Sequence, residues 1–283
     1  MIIAQITDPH IRPKGILAYG RADTAQMMMD CFETLKALRP KPDVVLLSGD
    51  LTDCGLVEEY RLLADLLEQL DMPVFVIPGN HDDRANLLQV FGTQPYLANR
   101  GGARICYTID QYPVRLIALD TLVAGQGYGK LGQEQLDWLA SVLEDEPDKP
   151  TVVFMHHPPF PTGIVHMDRI NCRDGGRMAE IIASHANVER VLAGHHHRPV
   201  HIRWAGTIGT VVPAIAHQVL LDLEGDTHPE AMMKMEPPAF SLHIWSAQTG
   251  VISHQVYIGA YPGPFAFEFD PDYPAYNATP VCG

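Results

Sequence analysis

Apolar and polar positions alternate along this chain with two distinct periods. Residues 2–6, 44–48, 73–77, 151–155 and 188–193 are short apolar runs of strand length. Between them lie stretches with helical spacing. In 24–38, Met27, Met28, Cys31, Leu35 and Leu38 fall on one face, Thr24 reads as the N-cap, and Pro40 and Pro42 end the helix. Residues 58–70, 131–143 and 174–185 read as amphipathic helices, and 84–91 as a short one. Residues 104–109 and 114–119, joined through Gln111, Tyr112 and Pro113, predict a hairpin. Beyond residue 200 the period changes to two, over 200–223 and 240–258, with a Pro/Met/acidic insertion between and an aromatic, Pro- and Gly-rich tail after.

This order predicts an α/β fold: two mixed β-sheets packed as a sandwich, helices on the outer faces, and the late strands completing the second sheet. Residues 1–223 are expected to form the catalytic domain. Residues 224–283 would add strands, the insertion and a tail used in oligomerisation.

Each early strand runs into a polar cluster. Residues 2–7 lead into Asp8-Pro9-His10, 44–48 into Gly49-Asp50, and 74–77 into Pro78-Gly79-Asn80-His81-Asp82. Residues 152–155 lead into His156-His157-Pro158-Pro159, and 188–193 into Gly194-His195-His196-His197. Ligands of α/β folds gather at the carboxyl ends of strands, so five such ends converge on one place. By strand periodicity, His195 and His197 share a face and His196 points away, and Asp8 and His10 share a face likewise. The convergent set is Asp8, His10, Asp50, Asn80, His156, His195 and His197. With one shared carboxylate, these seven make two four-ligand sites. Imidazole, carboxylate and amide donors without thiolate suit Mn, Fe, Zn or Co. Any single cluster is also ordinary turn chemistry; the argument rests on five of them in series.

D-x-H, GD, GNHD, a strand-end H and GHxH, in that order over 8–197, resemble the signature of the calcineurin-like metallophosphoesterases. The HHPP block at 156–159, Met167–Asp168 and His217 in AHQV resemble one branch of it. That branch holds the class III cyclic nucleotide phosphodiesterases and the bacterial glycerophosphodiesterases, and the likeness is closest to the latter. Two positions depart from the pattern: Pro9, which fixes φ inside the first block, and His196 between the last two ligands.

The resemblance implies one metal on Asp8, His10, Asp50 and His197, and a second on Asp50, Asn80, His156 and His195, with Asp50 bridging. His196 would be an exposed or outlying imidazole. A hydroxide between two divalent ions would attack phosphorus in line. His81 and His217 are the candidate catalytic histidines. Asn80, His81, His217 and Tyr19 are candidate substrate contacts, with loop packing the other reading of Tyr19.

A glycerophosphodiester or similar small diester is the expected substrate. A 3',5'-cyclic nucleotide is the alternative, and a phosphomonoester is less favoured because no basic segment stands ready for its extra charge. A scaffold without chemistry would have lost members of the ligand set.

Composition narrows the partners. The net charge of −14 opposes binding to nucleic acid or an anionic membrane surface, whereas a local pair of divalent ions would still attract a phosphodiester monoanion. No run approaches the ~18 apolar residues of a membrane span. The opening MIIAQITD lacks a leader pattern, which points to the cytoplasm. Five widely spaced cysteines without C-x-x-C argue against a zinc ribbon. The resemblance further implies a homodimer or an assembly of dimers, and a possible pairing of Cys54 with Cys282.

Overall fold

A chain with apolar strands flanked by one-sided helices must bury both faces of its sheets, and two stacked sheets do so. The computed structural model describes residues 1–98, 103–225, 228, 230–268 and 272. Its first half runs β1 (Ile2–Ile6), α1 (Thr24–Ala37), β2 (Val44–Ser48), α2 (Val57–Leu67), β3 (Val74–Ile77) and α3 (Arg84–Phe91). Next come β4 (Tyr107–Ile109), β5 (Arg115–Leu119), α4 (Gln133–Asp145), β6 (Thr151–Met155), α5 (Val165–Asp168), α6 (Gly175–Ala183) and β7 (Val188–Ala193). The remainder is strand: β8 (Val200–Trp204), β9 (Thr207–Val211), β10 (Gln218–Val219), β11 (Met233–Lys234), β12 (Ala239–Ser246) and β13 (Gly250–Tyr257).

One sheet has the order β13-β12-β1-β2-β3 and the other β4-β5-β6-β7-β9-β8, while β10 and β11 pair apart as a two-stranded strap. The late strands therefore do not all complete the second sheet, as the sequence suggested. The hairpin β8–β9 does, lying parallel to β7 through β9. The hairpin β12–β13 instead covers the side of β1 not taken by β2, pairing Ile3 with His243 and Gln5 with Ser241.

Side-chain alternation sets the layers. On β6, Val152 and Phe154 join the cluster shared with the first sheet, whereas Val153 and Met155 join Leu136, Leu139 and Met178 of α4 and α6. Helix α1 begins one residue earlier than the sequence suggested. Asp23 is its cap, accepting from the Gln26 N–H at 3.2 Å, while Thr24 Oγ1 accepts from the Arg12 N–H at 3.1 Å. Among the described residues no helix is long and apolar enough to cross a membrane. Cys282 lies outside the described residues; Cys54 is exposed, with Arg12 Nη1 2.7 Å from its sulfur.

Candidate metal centre

Strands β1, β2, β3, β6 and β7 deliver their polar clusters to one edge of the sandwich. The backbone there is not extended. Asp8, His10, Asp50, His195 and His197 all have positive φ, between 46° and 69°. Such left-handed conformations cost roughly 1–3 kcal/mol each for residues with a Cβ and cluster at functional sites. Period-two alternation therefore does not orient His195 and His197, or Asp8 and His10; a tight turn at each residue does. Backbone bonds hold the turns: Asp8 N–H to Gly49 O at 3.1 Å, His10 N–H to Asp50 O at 3.0 Å, and Gly194 N–H to His156 O at 3.0 Å. Pro9 sits between two such residues and leaves both Asp8 and His10 buried at the centre.

Three histidines are aimed by the same device. Each has Nδ1 on an oxygen: His10 on Asp53 Oδ1 at 3.2 Å, His156 on Ser48 O at 2.9 Å, and His197 on His217 O at 2.8 Å. A nitrogen that donates to oxygen leaves its ring partner, here Nε2, to present a lone pair whenever the ring is neutral. Those Nε2 atoms converge. His10 Nε2 is 3.4 Å from His197 Nε2, His197 Nε2 is 3.2 Å from Asp8 Oδ1, and His156 Nε2 is 3.2 Å from Asn80 Oδ1.

Asp50 stands in the middle. Its Oδ1 accepts the His81 N–H at 2.8 Å, and its Oδ2 lies 3.7 Å from His10 Nε2 and 3.4 Å from His156 Nε2. Gly79 makes room for it, because a Cβ there would lie 2.2 Å from Asp50 Oδ1.

Asp8 Oδ1, His195 Nε2 and His217 Nδ1 are buried without a hydrogen-bond partner. Buried polar atoms are rarely left so. Asp8, His10, Asp50 and His197 bring ligand atoms within 4.8 Å of one another. Converging lone pairs, carboxylates and orphaned atoms, with no thiolate among them, fit divalent cations of the borderline type.

The electrostatics are those of a cation site. Burial would raise Asp8, but the charge and hydrogen bond of His197, with His156, hold it down at about 2. Burial opposes ionisation of Asp50 too, and His156 and His81 draw it well below the usual range. Burial depresses His195 well below an ordinary histidine, and the neighbouring His157 and His156 add to it. His217 is pushed to about 2 by burial and by His197 and His10.

All seven candidate ligands thus meet at one centre. His81, His217 and Tyr19 line the cavity above it, which has a volume of about 280 Å³. Met167, Ile170, Val219 and Met232 form its apolar wall. Of the two readings of His196, exposed or outlying, the structure has the second. The side chain is fully buried, turned from the centre, with Nδ1 2.9 Å from Thr162 Oγ1 and Nε2 2.6 Å from Asn171 Oδ1.

Two carboxylates support the centre: the sequence reading passed over Asp53, and it took Asp82 as able to orient a neighbouring group without fixing which. Asp53 holds His10. Asp82 accepts from the N–H groups of Leu51, Thr52 and Gly79 and from the hydroxyls of Thr52 and Tyr60, at 2.8–3.1 Å, binding the β2 and β3 loops together. Their signal was present as GDLTD and GNHD, but nothing in sequence said what they touch.

The sequence model of the Calcineurin-like phosphoesterase family matches residues 1–199. The "Probable glycerophosphodiester phosphodiesterase GpdQ" of Arcobacter nitrofigilis is 38% identical over 268 residues, covering 94% of this chain and 97% of its own length. A "Probable cyclic nucleotide phosphodiesterase" of Synechococcus is 37% identical over 196 residues, covering 69% of this chain and 73% of its own. Among solved structures, a dimetal phosphatase from Danio rerio superposes with a TM-score of 0.61 at 14% identity, covering 91% of this chain and 99% of that one. At that identity the likeness is one of fold.

Proposed function

This chain belongs to the calcineurin-like phosphoesterase family, and on that premise we propose that it hydrolyses glycerophosphodiesters at a centre of two divalent metal ions. Asp8, His10, Asp50 and His197 would hold one ion, and Asp50, Asn80, His156 and His195 the other. Asp50 Oδ2, placed between His10 and His156, is the observation that carries the shared position. Mn, Fe, Zn and Co all suit the donors. Bound there, the ions would supply Lewis acidity toward a phosphoryl oxygen and a water acidic enough to attack at neutral pH.

The remaining steps fall to side chains. Asn80 and His217 flank the space a phosphoryl group would enter. His81 gives its Nδ1 to Asp53 O at 2.8 Å, which leaves Nε2 to carry a proton to the leaving alkoxide. Tyr19 packs edge-on to His217 with ring centroids 5.0 Å apart and lines the same cavity.

The substrate reading rests on the cavity and on the relatives. Among the described residues, and apart from imidazoles, Tyr19 is the one aromatic ring in the lining, so none of them pairs with it to sandwich a base. A glycerol diester needs no such sandwich. The match to the glycerophosphodiesterase also spans nearly the whole chain. A homodimer, or an assembly of dimers, is the companion proposal, supported by the exposed Tyr257, Tyr261, Phe265 and Phe267.

The test is kcat/KM of Mn-reconstituted protein on glycerophosphoethanolamine and cyclic AMP side by side. A preference for the glycerol diester is expected, and chelator should abolish turnover. A preference for the cyclic nucleotide would overturn the substrate assignment, and turnover by metal-stripped protein would overturn the centre.

A further inference from the structure

We infer that a polar seam through the core, Arg190–Ser253–His243–Gln5, positions the ligands of the second metal ion. The inference rests on the two-ion reading above. None of these four residues lines the catalytic cavity. Gln5 and His243 are fully buried, and Arg190 nearly so. Gln5 reaches from β1 in one sheet to Ala193 on β7 in the other. Burying polar groups costs stability, and a buried chain of satisfied ones rigidifies what it joins.

The direction of each bond follows from the ends of the seam. Gln5 Nε2 stands 3.1 Å from Ala193 O and 2.9 Å from Ser48 Oγ. A backbone carbonyl only accepts, so the amide nitrogen lies on that side and Oε1 faces His243 Nε2 at 3.1 Å. His243 Nε2 must therefore donate. Burial, with Arg190 and His201, pushes this ring down to about 3 and keeps it neutral, so Nδ1 accepts from Ser253 Oγ at 2.7 Å. Ser253 in turn accepts from Arg190 Nη1 at 3.0 Å. A guanidinium only donates, so the far end agrees with the near one. Arg190 is itself anchored on Val251 O at 2.7 Å.

The seam ends at two strand termini. Ala193 is the last residue of β7, two positions before His195, and Ser48 is the last of β2, two before Asp50. The Ser48 carbonyl also seats His156 Nδ1 at 2.9 Å, and Gly194 N–H donates to His156 O at 3.0 Å. The Gln5 amide thus ties together the backbone under Asp50, His156 and His195, three of the four candidate ligands of the second ion. His10 and His197 of the first are held instead by Asp53 and the His217 carbonyl, which the seam does not touch. Loosening the seam therefore acts on the second ion before the first.

The experiment titrates the stripped full chain with manganese. Calorimetry follows the two binding steps, and paramagnetic resonance reads the spin-coupled signal of the filled pair. Gln5→Met keeps the bulk and removes both amide bonds, and His243→Leu removes the donor that orients the amide. Each should weaken the second ion by about tenfold and leave the first within about twofold of wild type. His243→Gln places an amide nitrogen near the position of Nε2 and should recover most of the loss, which a space-filling role would not produce. Ser253→Ala, at the half-buried end of the seam, is the mildest cut and should weaken the second ion by about threefold. Circular dichroism confirms which variants are folded. An unchanged second ion in the folded variants, or an equal loss of both ions, would overturn the inference and leave the two-ion centre standing. Wild type that takes up fewer than two ions would overturn that centre, and the inference with it.

Discussion

His196 Nε2 and Asn171 Oδ1 lie 2.6 Å apart. Asn171 spends its amide nitrogen on Phe160 O and Asp168 Oδ1, each at 3.0 Å, so its oxygen accepts and His196 donates. Asp168 in turn accepts from the Thr162 and Gly163 N–H groups at 2.8 and 2.9 Å, and Thr162 Oγ1 returns to His196 Nδ1 at 2.9 Å. The circuit ties the turn carrying His195 and His197 to α5, which carries Met167, and to Ile170 just beyond it. The middle histidine of the run thus positions the cavity wall while its neighbours face the candidate metal centre.

Substituting His196→Ala should raise KM for the diester several-fold and leave metal content unchanged. Stability should fall by about 1–3 kcal/mol, the cost of leaving buried polar partners unpaired. Elemental analysis, urea denaturation and steady-state kinetics on one preparation check all three. Loss of metal would place His196 among the ligands instead.

Gly79→Ala tests how tightly the centre is built. The added methyl would meet Asp50 Oδ1 at 2.2 Å and His156 Nε2 at 2.8 Å. It would also meet the Asp50 backbone nitrogen at 2.3 Å, so the turn that carries this candidate ligand must shift with its carboxylate. We expect metal affinity to drop and kcat/KM to fall on the order of a hundredfold, as when a ligand's support is removed. Gly176→Ala on α6, where nothing lies within 4 Å, is the control and should be neutral or slightly stabilising.

The five clusters were legible because Gly and Pro punctuate each strand end and the ligand types stand beside them. How they converge was not. Strand periodicity assumes extended backbone, and Asp8, His10, Asp50, His195 and His197 are all left-handed; the candidate ligands do gather, but not by the geometry that the alternation argued. The partners Asn171 and Asp53 lie 25 and 43 residues from the histidines they orient, beyond any local pattern. The pairing of β12 with β1, across almost the whole chain, was hidden for the same reason. An alternating run states that a strand has two faces, and nothing in it says which sheet will take it.

Metal binding should release protons. Burial works against charge on His156, but the charge and hydrogen bond of Asp50, with Asp8, raise it to about 9. His197 is raised in the same sense against its burial, chiefly by Asp8. Below pH 9 His156 therefore carries a proton that an incoming cation must displace. Affinity should weaken as pH falls from 9 to 6, by about tenfold per unit for each proton released. Competition against a chelator of known pH dependence measures it, and a flat profile would contradict the pairing of Asp50 with His156.

Asp53→Ala removes the oxygen that orients His10. Metal affinity should fall by about 10–100-fold. Activity at saturating metal should largely return, because His81 rests on the Asp53 backbone carbonyl at 2.8 Å and keeps that support. Titration of the stripped variant with Mn, followed by turnover, separates the two effects. Activity that fails to return at any metal concentration would show that the Asp53 carboxylate acts on the substrate side as well.

The proton donor is tested by changing the leaving group. Burial opposes charge on His81, but Asp50, the Asp53 carbonyl and the Asp53 carboxylate outweigh it and raise its pKa. With Nδ1–H fixed on that carbonyl, the second proton sits on Nε2 beside the cavity. A glycerol or ethanolamine alkoxide is a strong base and needs that proton as it leaves; p-nitrophenoxide does not. His81→Ala should therefore cut kcat on glycerophosphoethanolamine by about 10²–10⁴, the usual worth of a general acid. On bis(p-nitrophenyl) phosphate the loss should stay below about tenfold. The His81 backbone N–H that holds Asp50 Oδ1 survives the substitution, so metal content should not change and the split between substrates reads the side chain alone. Equal losses on both substrates would mean that His81 grips the phosphoryl group rather than protonating what departs from it.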